Sequence, residues 1–421
     1  MNMLRTTIGD IIKTNKITQP LYKKYKTKKG TSSFKIDSIP TPIPCCVTNG
    51  DLRINLVLPT LRSTRVFAGI TTALSFFRKL IEDYNCDARI VIMGEEKYHK
   101  NLTYAVEGFV NDRNSRRSLF FLKDDANIDV RKNDVFIFTY WNSAYAFIPV
   151  IVWQKKKYSL NNRLGMYLIQ DYEPGFDAWS TKYALAESTY SSNPDLIFAI
   201  YNSRELFNYF KQQGYSFNKE MYFKPVLNSK LAEILIKNRN KSINRKKQII
   251  IYGRPSDERN AFEIIRYALK IWSRDYPQAK DWRIVSLGDW FETIHLSNND
   301  IEACGKVSLA EYAEYMLTSY AGISLMVSPH PSYPPLEMST FGIETITNQF
   351  ANKDLSSFNK NIVSLRDYTP DNIAKVLSAI CDNYGKAGSE IVLDKDYLDV
   401  HSFNLMVKNA EEILNGILSD N

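Results

Sequence analysis

The 421-residue sequence is longer than one compact core usually holds, so two domains are expected. Hydrophobic residues make up 44% and charged residues 24%, the balance of a soluble globular chain. A formal charge of +8 is concentrated in the first thirty-six residues, in Lys13, Lys16, Lys23, Lys24, Lys26, Lys28, Lys29 and Lys35. The remainder is close to neutral and carries no nucleic-acid-binding motif, so nucleic acid is not an expected partner. The basic stretch suits an anionic membrane surface or a lipid-diphosphate acceptor, or is simply a solvated tail. Five scattered cysteines argue for a reducing compartment and against a structural zinc, and four histidines without i,i+4 pairing argue against metal-centred chemistry. No secretory signal is read at the start, and the expected location is the cytoplasm, with peripheral contact to the inner face of the cell membrane.

In chain order, residues 1–44 form a basic extension that ends in Pro40, Pro42 and Pro44, a stiff segment unsuited to helix. Residues 53–59 are a short apolar run, 70–80 a helical pattern and 88–93 a second buried run, the order of a doubly wound parallel sheet. Residues 135–154 carry no charge, but Thr139, Asn142, Ser143, Pro149 and Gln154 fit a buried strand and helix better than a membrane span. Further buried runs fall at 163–170 and 195–201. The polar stretch 238–248 is the expected linker, between a first domain at 45–240 and a second at 245–398. Beyond it the pattern repeats: a strand at 249–252, a helix at 261–274, a strand at 283–287, a helix at 309–317 and a strand at 322–327. A last amphipathic helix covers 404–418.

Three segments of the second domain sit where strands end, which is where ligands bind in such sheets. Gly253-Arg-Pro-Ser-Asp-Glu-Arg259 lets the backbone pass close to a ligand and offers Arg254 and Arg259 to a diphosphate, or else to solvent. Cys304-Gly-Lys-Val-Ser308 offers the backbone of Gly305 and Val307 to a base and Lys306 as a cation, with Ser308 as helix cap. Ser328-Pro-His-Pro-Ser-Tyr-Pro-Pro-Leu-Glu-Met-Ser-Thr-Phe-Gly342 opens a helix whose Pro334 and Pro335 suit a first turn and whose free N–H groups face an anion. Glu337, one turn in, can accept from ribose hydroxyls or balance the helix dipole. In the first domain, Gln170, Asp171, Tyr172 and Glu173 end a strand. There an acid can orient an acceptor hydroxyl or take its proton, or merely satisfy loop backbone. Tyr172, Phe176 and Trp179 offer faces to sugars. Arg62 and Arg65 precede Gly69 and reach a diphosphate or an acceptor if they cross the cleft. Lys123-Asp-Asp125 lacks metal-ligand spacing.

In their order, Gly253-Arg254 with Arg259, Gly305-x-Val307 and Glu337-Met-Ser-Thr-Phe-Gly342 resemble the donor half of glycosyltransferase family four of the B-type fold. The family's first Glu falls on Pro329, so its contact to the donor sugar is lost or passes to His330, Ser332 or Tyr333. Leu58-Pro59, Gly69, residues 167–179 and Thr189-Tyr190 are similar to the rhamnosyltransferases that elongate rhamnan chains of bacterial S-layer glycoproteins. The resemblance implies an α/β fold of two facing Rossmann-like domains, with the C-terminal helix (400–421) crossing back to the first. It implies dTDP-β-L-rhamnose as donor in the second domain and a lipid-linked rhamnan as acceptor in the first. No metal or other cofactor is expected, and the family suggests net retention. The implied catalytic groups are Asp171, Arg254 and Lys306. The donor is expected to meet Gly69, Arg254, Arg259, Gly305, Lys306, Val307, His330, Ser332, Tyr333 and Glu337, and the acceptor Arg62, Arg65, Gln170, Asp171, Tyr172 and Glu173.

Overall fold

The structure, a computed structural model, describes residues 43–419 except 63–67, 95–96, 100–103, 105, 123–126, 242 and 387–389. Arg65, Lys123-Asp-Asp125 and nearly all of the basic extension lie outside the described residues.

The first half runs β1 (Cys45–Val47), β2 (Arg53–Leu58), α1 (Ala68–Asp83), β3 (Asp87–Ile92), β4 (Arg117–Phe121), β5 (Ile128–Val130), β6 (Asp134–Phe138), α2 (Trp141–Tyr158), β7 (Gly165–Ile169), α3 (Thr181–Ser191), β8 (Ile197–Tyr201), α4 (Arg204–Gln212) and β9 (Lys219–Tyr222). Its seven-stranded sheet has the order β4-β3-β2-β6-β7-β8-β9 and is parallel throughout. The order reverses between β2 and β6, the point where a doubly wound sheet opens a ligand crevice at its carboxyl edge. Alternate residues of each strand feed opposite layers: Ile54, Leu56 and Leu58 pack under α1, while Val57, Phe136 and Phe138 pack under α2. Burial on both faces explains why these strands read as unbroken apolar runs. Residues 135–154 form β6 and most of α2, largely buried. Among the described residues no helix is long and apolar enough to cross a membrane.

The chain continues through α5 (Ser229–Asn238), β10 (Lys246–Gly253), α6 (Phe262–Asp275), β11 (Arg283–Gly288), β12 (Ile294–His295), β13 (Asp300–Gly305), α7 (Leu309–Thr318), β14 (Ser319–Ile323), α8 (Tyr333–Thr340), β15 (Glu344–Asn348), β16 (Ile362–Leu365), α9 (Pro370–Asp382), α10 (Lys395–Leu398) and α11 (His401–Ser419). The second seven-stranded sheet, β12-β13-β11-β10-β14-β15-β16, is parallel except for the short edge strand β12, and reverses between β10 and β14. Two doubly wound halves thus repeat one plan.

The division between the halves differs from the expected linker. Leu231 and Leu235 of α5 are buried in the second domain's core with Ile250 and Val285, so the chain has already crossed before the polar stretch at 238–248 begins. That stretch is polar because it is a surface connection within the second domain. The strand expected at 322–327 ends at Ile323. Leu325 is buried and Met326 and Val327 half-buried in a loop whose backbone finds distant partners: Met326 N–H donates to Asn348 Oδ1 and Val327 N–H to the Arg259 carbonyl, each at 2.7 Å. Finally, α11 returns to the first domain, where Met406, Val407, Ala410, Ile413 and Leu414 share a core with α1.

Candidate active site

At the carboxyl edge of the second sheet, register lines up three glycines: Gly253 of β10 pairs with Gly288 of β11, and Leu287 pairs with Gly305 of β13. No Cβ fits at Gly253, where it would strike the Ser286 hydroxyl, with Phe262 at 3.1 Å behind. Gly288, at φ +133°, would set a Cβ 2.5 Å from the Gly253 carbonyl. The chain therefore leaves these strands with bare backbone exposed to the crevice. Arg254 and Lys306 follow directly on Gly253 and Gly305, two strands apart, so their Cα atoms stand about 10 Å apart on one edge. Arg254 stands 3.8 Å from Asp257 and 3.9 Å from Asp289. Lys306 and the neighbouring Trp290 are exposed. Val307 packs partly into the core under Leu287, and Ser308 caps α7 in a capping box with Glu311.

The loop from β14 to α8 lies across the switch point of this sheet. Pro334 and Pro335 occupy the first turn of α8, where a missing N–H is harmless. Ser332, the residue before the helix, has φ +68°, a conformation that costs about 1–3 kcal/mol for a non-glycine residue and that clusters at functional sites. Ser332 N–H donates to His330 Nδ1 at 3.0 Å, and His330 N–H donates to Ser328 Oγ at 3.0 Å. The His330 ring is buried, which pushes its pKa down to about 4, and it packs against Tyr333. Its Nδ1 is an acceptor, so the neutral ring carries its proton on Nε2, a buried donor without a partner.

Glu337 accepts from the Tyr312 hydroxyl at 2.9 Å, and burial lifts its pKa to about 7. The folded state thus favours the protonated acid. This contribution to stability is complete below the ordinary value of 4.5 and is lost as pH rises through about 7. Glu337→Gln removes that titration. Urea unfolding at pH 5 and pH 8 is expected to show a smaller fall in stability for the variant than for the wild type, and equal falls would remove Glu337 as the cause.

Across the crevice, Asp171 follows β7 of the first domain and is buried at 8% exposure. Its Oδ2 accepts from Arg259 Nη1 at 2.5 Å, and its Oδ1 accepts from the Ser328 hydroxyl. Arg259 is also gripped by Asp257, at 2.9 and 3.1 Å, and its guanidinium lies 4.0 Å over the Phe176 ring. One carboxylate thus meets a cation and a hydroxyl from two loops of the opposite domain. Gln170 donates to the Gly69 carbonyl at 3.2 Å, and a Cβ on Gly69 would sit 2.5 Å from Gln170 Oε1, so the first domain's own switch point is also tightly closed. Arg62 lies near this edge, bridged to Tyr104.

Two expected acceptor residues do not face the crevice. Glu173 is buried at 2% exposure and accepts from the Tyr167 hydroxyl at 3.0 Å. Burial holds its carboxyl well above the usual range, so it is a neutral core acid. Tyr172 packs among Tyr190, Tyr209, Phe210 and Tyr215 and shares its hydroxyl with Tyr183 and Tyr215. The aromatic density around them, unseen in a linear reading, explains both. Trp179 is exposed and stacks on Tyr183 instead. The sequence reading also passed over Lys353, which is 1% exposed and donates to the Met326 carbonyl at 2.6 Å. Burial pushes its pKa down to about 7, against the pull of Asp171. In Asn352-Lys-Asp354 it looks like any surface lysine. Among the described residues no group of three or more His, Cys, Asp and Glu gathers to hold a metal.

Solved structures share this architecture. Sucrose-phosphate synthase from Thermosynechococcus elongatus matches over 88% of this chain and 100% of its own, at 11% identity and a TM-score of 0.53. Anabaena HepE, solved with UDP, matches over 88% and 100%, at 10% identity and a TM-score of 0.53. The shared fold is the B-type glycosyltransferase fold. Residues 53–204 match the family description "WsaF, N-terminal domain" and residues 247–378 match "WsaF, C-terminal domain". The chain belongs to the WsaF family, and the family resemblance read from the motifs is borne out. A curated relative, the O-antigen biosynthesis protein RfbC of Myxococcus xanthus, is 28% identical over 218 residues, which are 51% of this chain and 15% of that relative's length.

Proposed function

We propose that this glycosyltransferase moves L-rhamnose from dTDP-β-L-rhamnose to the end of a growing, lipid-linked rhamnan in S-layer glycan assembly, without a metal and with net retention. The observation that carries this reading is the alignment of Arg254, Lys306 and the amino end of α8 along one carboxyl edge. As the glycosidic bond breaks, negative charge grows on the departing diphosphate. Preorganised cations and N–H groups lower the barrier because they stabilise that charge more than the ground state. The base lies against Gly305 and Val307, and the ribose hydroxyls reach Glu337. His330, Ser332 and Tyr333 meet the sugar. Arg259 turns from Asp171 to the diphosphate, which leaves Asp171 to orient the acceptor hydroxyl or take its proton. Gln170 and Arg62 border the acceptor, and Gly69 borders the donor. The protein works in the cytoplasm, its lysine-rich start against the anionic inner face of the membrane.

HepE was solved with UDP, and the pneumococcal O-GlcNAc transferase GtfA with UDP and GlcNAc, so a UDP-sugar is the second donor to weigh. Thermal shift with dTDP-rhamnose, UDP-glucose, UDP-GlcNAc and GDP-mannose separates them. The largest stabilisation is expected from dTDP-rhamnose, together with rhamnose transfer to a rhamno-oligosaccharide seen by mass spectrometry. A UDP- or GDP-sugar in first place would reassign the donor, and no response to any of the four would end the nucleotide-sugar reading.

A further inference from the structure

The second sheet's strand order sets out a row of positions along its carboxyl edge. Gly305 and Lys306 leave β13, Arg254 leaves β10, the His330 loop leaves β14, and Lys353 lies in the turn after β15. Neighbouring strands are about 4.8 Å apart, so Lys353 stands two strands beyond Arg254, on the side away from Lys306. A nucleotide sugar whose base lies at Gly305 and whose diphosphate lies at Arg254 therefore carries its sugar toward β14 and β15.

The groups waiting there are buried and underused. Lys353 is fixed by its backbone, which exchanges hydrogen bonds with Phe350 at 2.8 and 3.1 Å, and its turn is tied to the first domain by Asn352 Nδ2, which donates to the Glu205 carbonyl at 2.8 Å. Its ammonium donates only to Met326 and makes no ion pair among the described residues, which leaves two N–H groups unspent. His330, 7% exposed, presents an unpartnered Nε2–H. Asn202, 4% exposed at the end of β8, has an unpartnered Oδ1 facing no donor. Lys353 donates to Met326, two residues before Ser328, whose hydroxyl accepts from His330 N–H and donates to Asp171, so one loop ties the three groups together. A buried ammonium without a hydrogen-bonded carboxylate is costly, and a protein that needed only packing there would do better with an apolar side chain.

We propose that Lys353 is a sugar-binding residue of the donor site, which together with His330 donates hydrogen bonds to the hydroxyls of the transferred sugar. The proposal rests on the nucleotide-sugar reading above. It also accounts for Pro329: the polar contacts that this position cannot make come instead from the next strand's loop and from the imidazole beside it.

The test compares the full-length wild type with Lys353→Met by calorimetry, using dTDP and dTDP-rhamnose, and by rhamnose transfer. The methionine keeps the length of the side chain and removes its charge and donors. The expected result is unchanged dTDP affinity, an unchanged or higher melting temperature, and an affinity for dTDP-rhamnose and a turnover about 10- to 100-fold lower, the effect of a lost charged hydrogen bond. Wild-type binding of dTDP-rhamnose and wild-type turnover in the variant would overturn the proposal and leave the donor reading standing. Loss of dTDP affinity or of the melting transition would assign the lysine a structural role and overturn it as well. Failure of the wild type itself to bind dTDP or its sugar would end the donor reading and this proposal together.

Discussion

Arg254→Ala is expected to lower turnover by about 10²- to 10³-fold, the usual effect of removing one donor aimed at charge that develops in a transition state. The residue is well placed for a clean experiment. Its side chain is 30% exposed, and its contacts to Asp257 and Asp289, at 3.8 and 3.9 Å, are of the partly exposed kind that contributes little to stability. The strand that carries it is fixed by Gly253 and by the buried Ile249, Ile250 and Ile251, none of which is touched. Melting temperature should therefore stay near that of the wild type while the rate of sugar transfer collapses. Lys306→Ala, at the exposed end of the same row, should act in the same direction with a smaller effect, because solvent screens its charge more. Near-normal turnover in the Arg254 variant would take the guanidinium out of the mechanism and with it the charge-neutralising row.

Arg254 was legible in the sequence because it directly follows a buried apolar strand, whereas Lys306 follows the mixed, half-buried strand Asp300–Gly305 and was read from the spacing of Gly305 and Val307. A Gly-Arg or Gly-Lys step at the end of such a run can only lie at a carboxyl edge once the sheet is parallel. Proline at the start of α8 was equally readable, since few other positions tolerate two prolines in succession. What escaped was long-range. Asp171 and Arg259 are 88 positions apart in the chain and in different domains, and no local pattern announces that they meet. Glu173 looked like a crevice acid because it stands two residues from Asp171, but the chain has by then turned into a single 3-10 turn (Glu173–Phe176), and the Glu173 carboxyl is buried against Tyr167, which packs on Tyr190. Nor does charge in the linear sequence announce where it is buried. Arg53, Arg89, Asp129 and Asp134 form a buried ionic network at the amino end of the first sheet, away from the crevice. Lys353, embedded in a polar turn, proves to be among the most buried charged groups. Burial depends on which loops the two domains bring together, and only the assembled fold decides that.

Asp171→Asn carries the other large expected effect, and the reason lies in competition. The Asp171 carboxylate accepts from Arg259 Nη1 at 2.5 Å, and the function proposed above assigns that same guanidinium to the donor diphosphate. Both anions cannot hold the same N–H, so on that proposal a bound nucleotide draws Arg259 away and frees the carboxylate for the acceptor. Asparagine keeps the shape and the hydrogen bond from Ser328 but gives up the charge. Turnover is expected to fall by about 10²- to 10⁴-fold, the range for loss of a general base. Affinity for dTDP, measured by calorimetry, should be no weaker than in the wild type, because the diphosphate has lost its rival for Arg259. Arg259→Ala should do the opposite to binding and weaken dTDP directly. An Asp171→Asn enzyme that still transfers sugar at the wild-type rate would reduce the carboxylate to a tie between domains, and the proton would have to leave the acceptor by another route.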